Sequence, residues 1–245
     1  MNTEKVLKSF EFQDSLNTKI WEKENDSYKM RLEVRDRLLT IAEMFLDFLN
    51  IDVIVSDIIM IGSLTNYNWS EFSDVDLHLV VDYDQFGKNS KDLYVEFFDL
   101  KKIIFNMRHN ITLFGYDVEC FVQDEKETTF SSGIYSVLND KWINIPKKEK
   151  NSKIDTNLIK EKSKQWMRII DGVVDNIQDE NPETIKKLVK KYKEKLKKFR
   201  NCGLQKGGEM STENLVFKLL RRNGYIEKLF ELPVELIDKK LSMTQ

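Results

Sequence analysis

Ile58-Ile59-Met60-Ile61-Gly62-Ser63 and, ten residues later, Asp74-Val75-Asp76-Leu77-His78-Leu79-Val80-Val81 decide how this chain is read. The first run is apolar and ends in Gly-Ser; the second alternates polar and apolar side chains. Alternation with period two is the mark of a strand with one buried face. Asp74, Asp76 and His78 therefore leave the backbone on one side, and Val75, Leu77, Leu79 and Val81 on the other. Two carboxylates one pleat repeat apart raise each other's proton affinity unless a cation lies between them. The pattern thus calls for bound divalent charge. Gly62-Ser63 alone reads first as an ordinary turn. Its functional reading is a tight bend whose amides and Ser63 hydroxyl hold phosphate oxygens.

A third carboxylate is sought on a neighbouring strand. Tyr116, Val118, Cys120 and Val122 alternate with Asp117, Glu119, Phe121 and Gln123. Glu119 is the first choice and Asp117, on the same face, the second. Three such acids suit two divalent ions roughly 3.5–4 Å apart, the arrangement that stabilises attacking and leaving oxygens in displacement at phosphorus. Two histidines without zinc-ligand spacing leave oxygen ligands, hence Mg²⁺ or Mn²⁺.

Around this centre, Leu32, Leu38, Ile41, Ala42, Phe45 and Leu49 predict an amphipathic helix over 31–49. Residues 1–30 show no clear period and read as an irregular arm or short helix. Ile51–Val55 and Asp57–Ile61 read as short extended pieces. A second helix is expected over 92–107, started near Asn89 and Asp92, with Leu93, Phe97, Leu100, Ile104 and Met107 as its apolar stripe. Ile134–Leu138 and Trp142–Ile145 suggest a hairpin closed by Asn139-Asp140. Pro146 and Lys147-Lys148-Glu149-Lys150 mark a boundary, beyond which the pattern is helical. Leu158–Ile177 is one helix; Asn181-Pro182-Glu183 opens another with proline in its first turn. Leu188, Tyr192, Leu196 and Phe199 are its inner stripe, and Gly203, Gly207 and Gly208 break it. Ser211 caps a last helix, ended by Asn223-Gly224. The expected fold is α+β: a small mixed β-sheet flanked by helices over 1–148, then an all-α helical domain over 149–245.

The 245 residues carry a net charge of −2, with 33% charged and 41% hydrophobic residues. A uniformly basic nucleic-acid coat is excluded, while a basic face on one domain is not. No apolar run approaches the roughly 20 residues of a membrane span. The N-terminus lacks the pattern of a signal peptide, and two cysteines make no disulfide framework, so a cytoplasmic setting is expected.

Gly62-Ser63, ten intervening residues, Asp74-Val75-Asp76 and the later strand acid Glu119 resemble the signature of the DNA polymerase β-like nucleotidyltransferase superfamily. The motif spans about residues 58–123. The fuller run Ile61–Ser70 through Ser73–His78 resembles nucleotidyltransferases predicted in large tailed bacteriophages. Gly133-Ile134-Tyr135-Ser136 with Trp142, and Asn214-Leu215-Val216-Phe217-Lys218 with Arg221, share that likeness. The resemblance implies Mg²⁺-dependent transfer of a nucleoside monophosphate from an NTP such as ATP, in a host cytoplasm if the chain is phage-encoded. It implies that Ser63 contacts the triphosphate, that Asp74 and Asp76 ligate both metals, and that Glu119 holds the catalytic metal and helps activate an acceptor hydroxyl. The third position is often aspartate in the superfamily and is glutamate here.

Several residues read two ways. Lys186 to Arg200 is a solvated face or a surface that tracks RNA. Lys218, Arg221 and Arg222 share a helix face and are candidates for triphosphate contacts, or plain surface charge. Tyr135 and Trp69 could stack on a base or belong to the core. His78 could orient a carboxylate or simply be packed. The acceptor could be an RNA or tRNA 3′ end or a protein side chain. A non-catalytic module that binds nucleotide or nucleic acid, or a nucleotide-sensing regulator, would have the same pattern.

Overall fold

The computed structural model describes residues 3–25, 27–87, 90–129, 131–148, 154–177 and 180–243. Tertiary contacts divide the chain into two units, one comprising Glu11–Lys150 and the other Met1–Phe10 with Asn151–Gln245. The first ten residues, expected with the front domain on sequence grounds, therefore group with the helices of the second half. Asn89, Glu149 and Lys150, invoked above for a helix start and a boundary, lie outside the described residues.

The first unit is mixed α and β. A short antiparallel hairpin, β1 (Trp21–Glu24) and β2 (Ser27–Met30), precedes helix α2 (Leu32–Leu49); α1 (Thr3–Lys8) lies in the other unit. Then come β3 (Val55–Ile61), β4 (Val75–Val81), α3 (Lys91–Arg108), β5 (Thr112–Leu113), β6 (Tyr116–Asp124), β7 (Ile134–Ser136) and β8 (Lys141–Asn144). Six strands form one sheet in the order β5-β6-β4-β3-β7-β8. Among the described residues only β4 and β6 run parallel, and α3 is the crossover between them, as a parallel pair requires.

Hydrophobic burial on one sheet face sets this layer. Val75, Leu77, Leu79 and Val81 are each at most 1% exposed and pack with Val34, Leu38, Phe45 and Leu49 of α2 and Phe98 and Phe105 of α3. The α2 stripe follows the expected spacing except at its start, where Val34 is buried and Leu32 is exposed. Helix α3 departs further. Its expected stripe is largely exposed, Leu93 at 66% and Met107 at 82%, and the helix turns Phe98 and Phe105 inward instead. Two phenylalanines bury more apolar area and find rings to meet: Phe105 lies 4.8 Å from Phe45, and Phe98 5.3 Å from Tyr83. The hairpin expected near residues 134–145 forms as β7 and β8.

The second unit is helical: α1, α4 (Thr156–Ile177), α5 (Pro182–Gly207), α6 (Thr212–Arg222), α7 (Tyr225–Phe230) and α8 (Leu232–Leu241). The Asn181 side chain accepts from Thr184 N at 2.9 Å and caps α5, with Pro182 in the first turn. Gly203 does not break α5 but lies within it. A Cβ there would meet Glu213 Cβ at 2.5 Å, so the glycine lets α5 and α6 cross closely. Helix α6 is not the last, since α7 and α8 continue the core with buried Leu229. No helix among the described residues is long and apolar enough to cross a membrane.

Candidate metal centre

Register builds the site. Ile61 of β3 pairs with Asp76 of β4, and Asp76 with Glu119 of β6, so one row crosses three strands on the face opposite the core. Asp74 directly precedes β4, and its side chain has the same parity as Asp76. Asp74, Asp76 and Glu119 each bring one carboxylate oxygen into a set whose atoms lie within 4.8 Å of one another, and all three are partly exposed. Asp117 pairs with Thr112 at the outer edge, is exposed and does not join the set. Glu119 is thus the third acid of the cluster. Its strand is held by Asn106 of α3, which accepts from Cys120 N at 3.0 Å and donates to Cys120 O at 3.1 Å. This amide covers the edge that the two-residue β5 leaves open.

The Gly62 bend abuts the acids. Gly62 has φ +87°, the left-handed region that favours glycine, and a Cβ at this position would sit 2.0 Å from Asp76 Oδ2. No other residue fits there without displacing that carboxylate. Three side chains lock the bend. The Thr65 hydroxyl lies 2.8 Å from the Gly62 and Gly133 carbonyls, Asn66 Nδ2 donates to Gly62 O at 2.6 Å, and Gly62 N donates to Ser131 Oγ at 3.3 Å. Ser63 donates to Ser73 Oγ at 2.7 Å, and Ser73 accepts from Ser70 N at 2.9 Å. The loop between the two motifs is thereby tied immediately before Asp74. Thr65, Asn66 and Ser131 were not expected to matter. Their signal in sequence is weak, for they are loop polar residues at no regular spacing.

His78 follows Asp76 on the acid face. Its ring stacks on Phe121 with centroids 4.6 Å apart, and burial lowers its pKa to about 4 despite a contact with Gln123, so the imidazole is neutral at pH 7. Its Nδ1 is buried with no hydrogen-bond partner among the described residues. It belongs to the packed floor beside the acids.

Two expected stacking contacts, Tyr135 and Trp69, are corrected. Tyr135 pairs with Met60, which pairs with Leu77, and this parity places it on the core face, 1% exposed. Its ring lies edge-on to Trp21 and Trp142, and its hydroxyl donates to Asp140 Oδ1 at 2.8 Å, leaving no face for a base. Trp69 likewise packs on the core and donates to Ser15 O at 2.9 Å. Arg222 donates to Ser9 Oγ at 2.6 Å and lies 5.1 Å over the Phe10 ring, fastening the chain start to α6. These contacts make it a packing residue of the helical unit. Arg221 is exposed and Lys218 partly exposed on the same helix.

Set against family models, curated proteins and solved structures, the chain matches none of them.

Proposed function

We propose that this protein is a metal-dependent nucleotidyltransferase with a polymerase β-like core, transferring a nucleoside monophosphate from an NTP to an acceptor hydroxyl. The observation that carries this reading is the convergence of Asp74, Asp76 and Glu119 within 4.8 Å, against a glycine bend that a Cβ would close. An all-oxygen donor set of three carboxylates fits Mg²⁺ or Mn²⁺. Asp74, Asp76 and Glu119 would hold the ions, which when bound supply Lewis-acid stabilisation of charge on the transferring phosphoryl group.

The chain's own residues do the rest. Gly62 and Ser63 offer a bend narrow enough for phosphate oxygens to approach the backbone beside Asp76. Glu119 accepts the proton of the acceptor hydroxyl as its oxygen bonds to the α-phosphorus. The bond from that phosphorus to the bridging oxygen breaks, and pyrophosphate leaves. Apolar packing beneath β4 and the Asn106 clasp on β6 keep the acids from relaxing apart, so their arrangement is set before substrate arrives.

Incubation with α-labelled NTPs, Mg²⁺ and total RNA or protein extract tests the reading. Label is expected in an RNase- or protease-sensitive product, and Asp76→Asn is expected to reduce its formation by roughly 10³-fold with an unchanged circular dichroism spectrum. Full activity in that variant would remove the site.

A further inference from the structure

A hollow made entirely within the helical unit has a different chemistry from the acid cluster. It encloses about 600 Å³ between α4, α5 and α6. Trp166, Tyr192 and Phe199 form its apolar walls, and Lys195, Lys198 and Lys206 stand at its rim. Trp166 and Phe199 are 5.6 Å apart and tilted by 56°, and both rings are partly exposed. A smaller hollow of about 430 Å³ shares Lys198 and Cys202 with it, so the depression extends along α5.

The lysines are ordered as well as numerous. Lys187, Lys191, Lys195 and Lys198 follow one another at steps of four, four and three residues, one ridge of α5 with a cation about every 6 Å. All four are exposed. Lys186 and Lys190, off this ridge, pair with Glu183 and Glu194; the four ridge lysines make no ion pair among the described residues. Lys195 Nζ lies 5.3 Å over the Tyr192 ring, where the ridge meets the hollow.

We propose that the helical unit binds a single-stranded polynucleotide, its backbone along the lysine ridge of α5 and one base in the ring-lined hollow. A row of unpaired cations at regular spacing suits a polyanion, and aromatic walls suit a planar base. An acidic peptide would satisfy the lysines and leave the rings unfilled. A duplex would satisfy them too, but its bases are paired and stacked away from the hollow. Binding is independent of the carboxylates; that the bound strand is the acceptor rests on the catalytic reading above.

Fluorescence anisotropy on the full chain, in EDTA, with labelled 12-mer RNA and DNA strands, the matching duplex and free mononucleotides, decides the matter. Single strands are expected to bind more tightly than duplex or mononucleotide, with affinity falling steeply with salt; RNA against DNA shows which sugar is preferred. Lys187→Gln with Lys191→Gln is expected to flatten the salt slope by about 0.7 per lysine. Trp166→Ala is expected to weaken binding roughly tenfold with little change in that slope, and Trp166→Phe to restore most of it. If Trp166→Ala loses its circular dichroism signal, Lys198→Gln with Lys206→Gln, both exposed, takes its place and is expected to weaken binding. Equal affinity for duplex or mononucleotide, no binding, or binding unmoved in the folded variants would overturn the proposal. Strand binding retained by Asp76→Asn, together with an absence of nucleotidyl transfer by the parent chain, would count against the catalytic reading alone.

Discussion

The two units of this chain carry opposite charge and place their functional groups by different means. Glu11–Lys150 holds 16 Lys and Arg against 26 Asp and Glu, whereas Met1–Phe10 with Asn151–Gln245 holds 23 against 15. In the first unit, strand register sets Asp76 and Glu119 in one row with Asp74 beside it, and displacement of a neighbouring strand moves the acids apart. In the second, helical periodicity repeats a lysine every turn, and each cation is nearly independent of the next. The contrast teaches that a few dense charges need a rigid sheet, while many dilute ones need only a helix face. Substitutions should therefore act sharply in one unit and gradually in the other.

After loss of an acid itself, Gly62→Ala should break this contrast most sharply. The added methyl cannot coexist with Asp76 Oδ2 in its present place. Displacing that carboxylate should cost on the order of 10²-fold in transfer rate, and the left-handed φ should cost about 1–3 kcal/mol of stability. Kinetics and thermal melting read both. Unchanged turnover would show that the bend and the acids are not coupled.

His78 gives the acid-bearing unit a pH signature. Its folded pKa is about 4 against an ordinary 6.5, because burial disfavours the imidazolium. Between these values the unfolded chain binds a proton that the folded chain does not. Stability is thus complete above pH 6.5 and falls as the pH drops toward 4, by about 2–3 kcal/mol from this residue. Urea titrations in EDTA should show His78→Phe losing less stability over that window than the parent. A parallel pH dependence in the two proteins would contradict the assignment.

Arg222→Ala should have the smallest effect. It removes the bond to Ser9 and the contact over Phe10, about 1–2 kcal/mol, and should loosen α1 from the helical unit without altering the KM for NTP. A large rise in KM would place Arg222 at the nucleotide site.

The alternation at 75–81 made β4 and its acid face legible from residues alone, because parity within one strand is local. Alternation put Glu119 and Asp117 on one face, with Glu119 the first choice; what separates them is the parallel register with Asp76, 43 residues away in sequence, which alternation cannot supply. The same parity argument, without register, left Tyr135 open; pairing with Met60 places it in the core. In α3, periodicity marked Leu93, Leu100 and Met107, yet competing rings from α2 and the residue-83 turn drew Phe98 and Phe105 inside. The hairpin β1–β2 gave no signal because most of its side chains are polar and exposed. For α5, capping by Asn181-Pro182 was readable, while Gly203 read as a breaker because its role is to admit α6.

Binding of Mn²⁺ to the parent and to Glu119→Gln, followed by electron paramagnetic resonance in the presence and absence of NTP, tests most directly whether adjoining strands have gathered their acids to hold cations. The account predicts Mn²⁺ binding that tightens with NTP in the parent and weakens at least tenfold in the variant. Equal Mn²⁺ affinity in the two proteins, or none in either with NTP present, would contradict it.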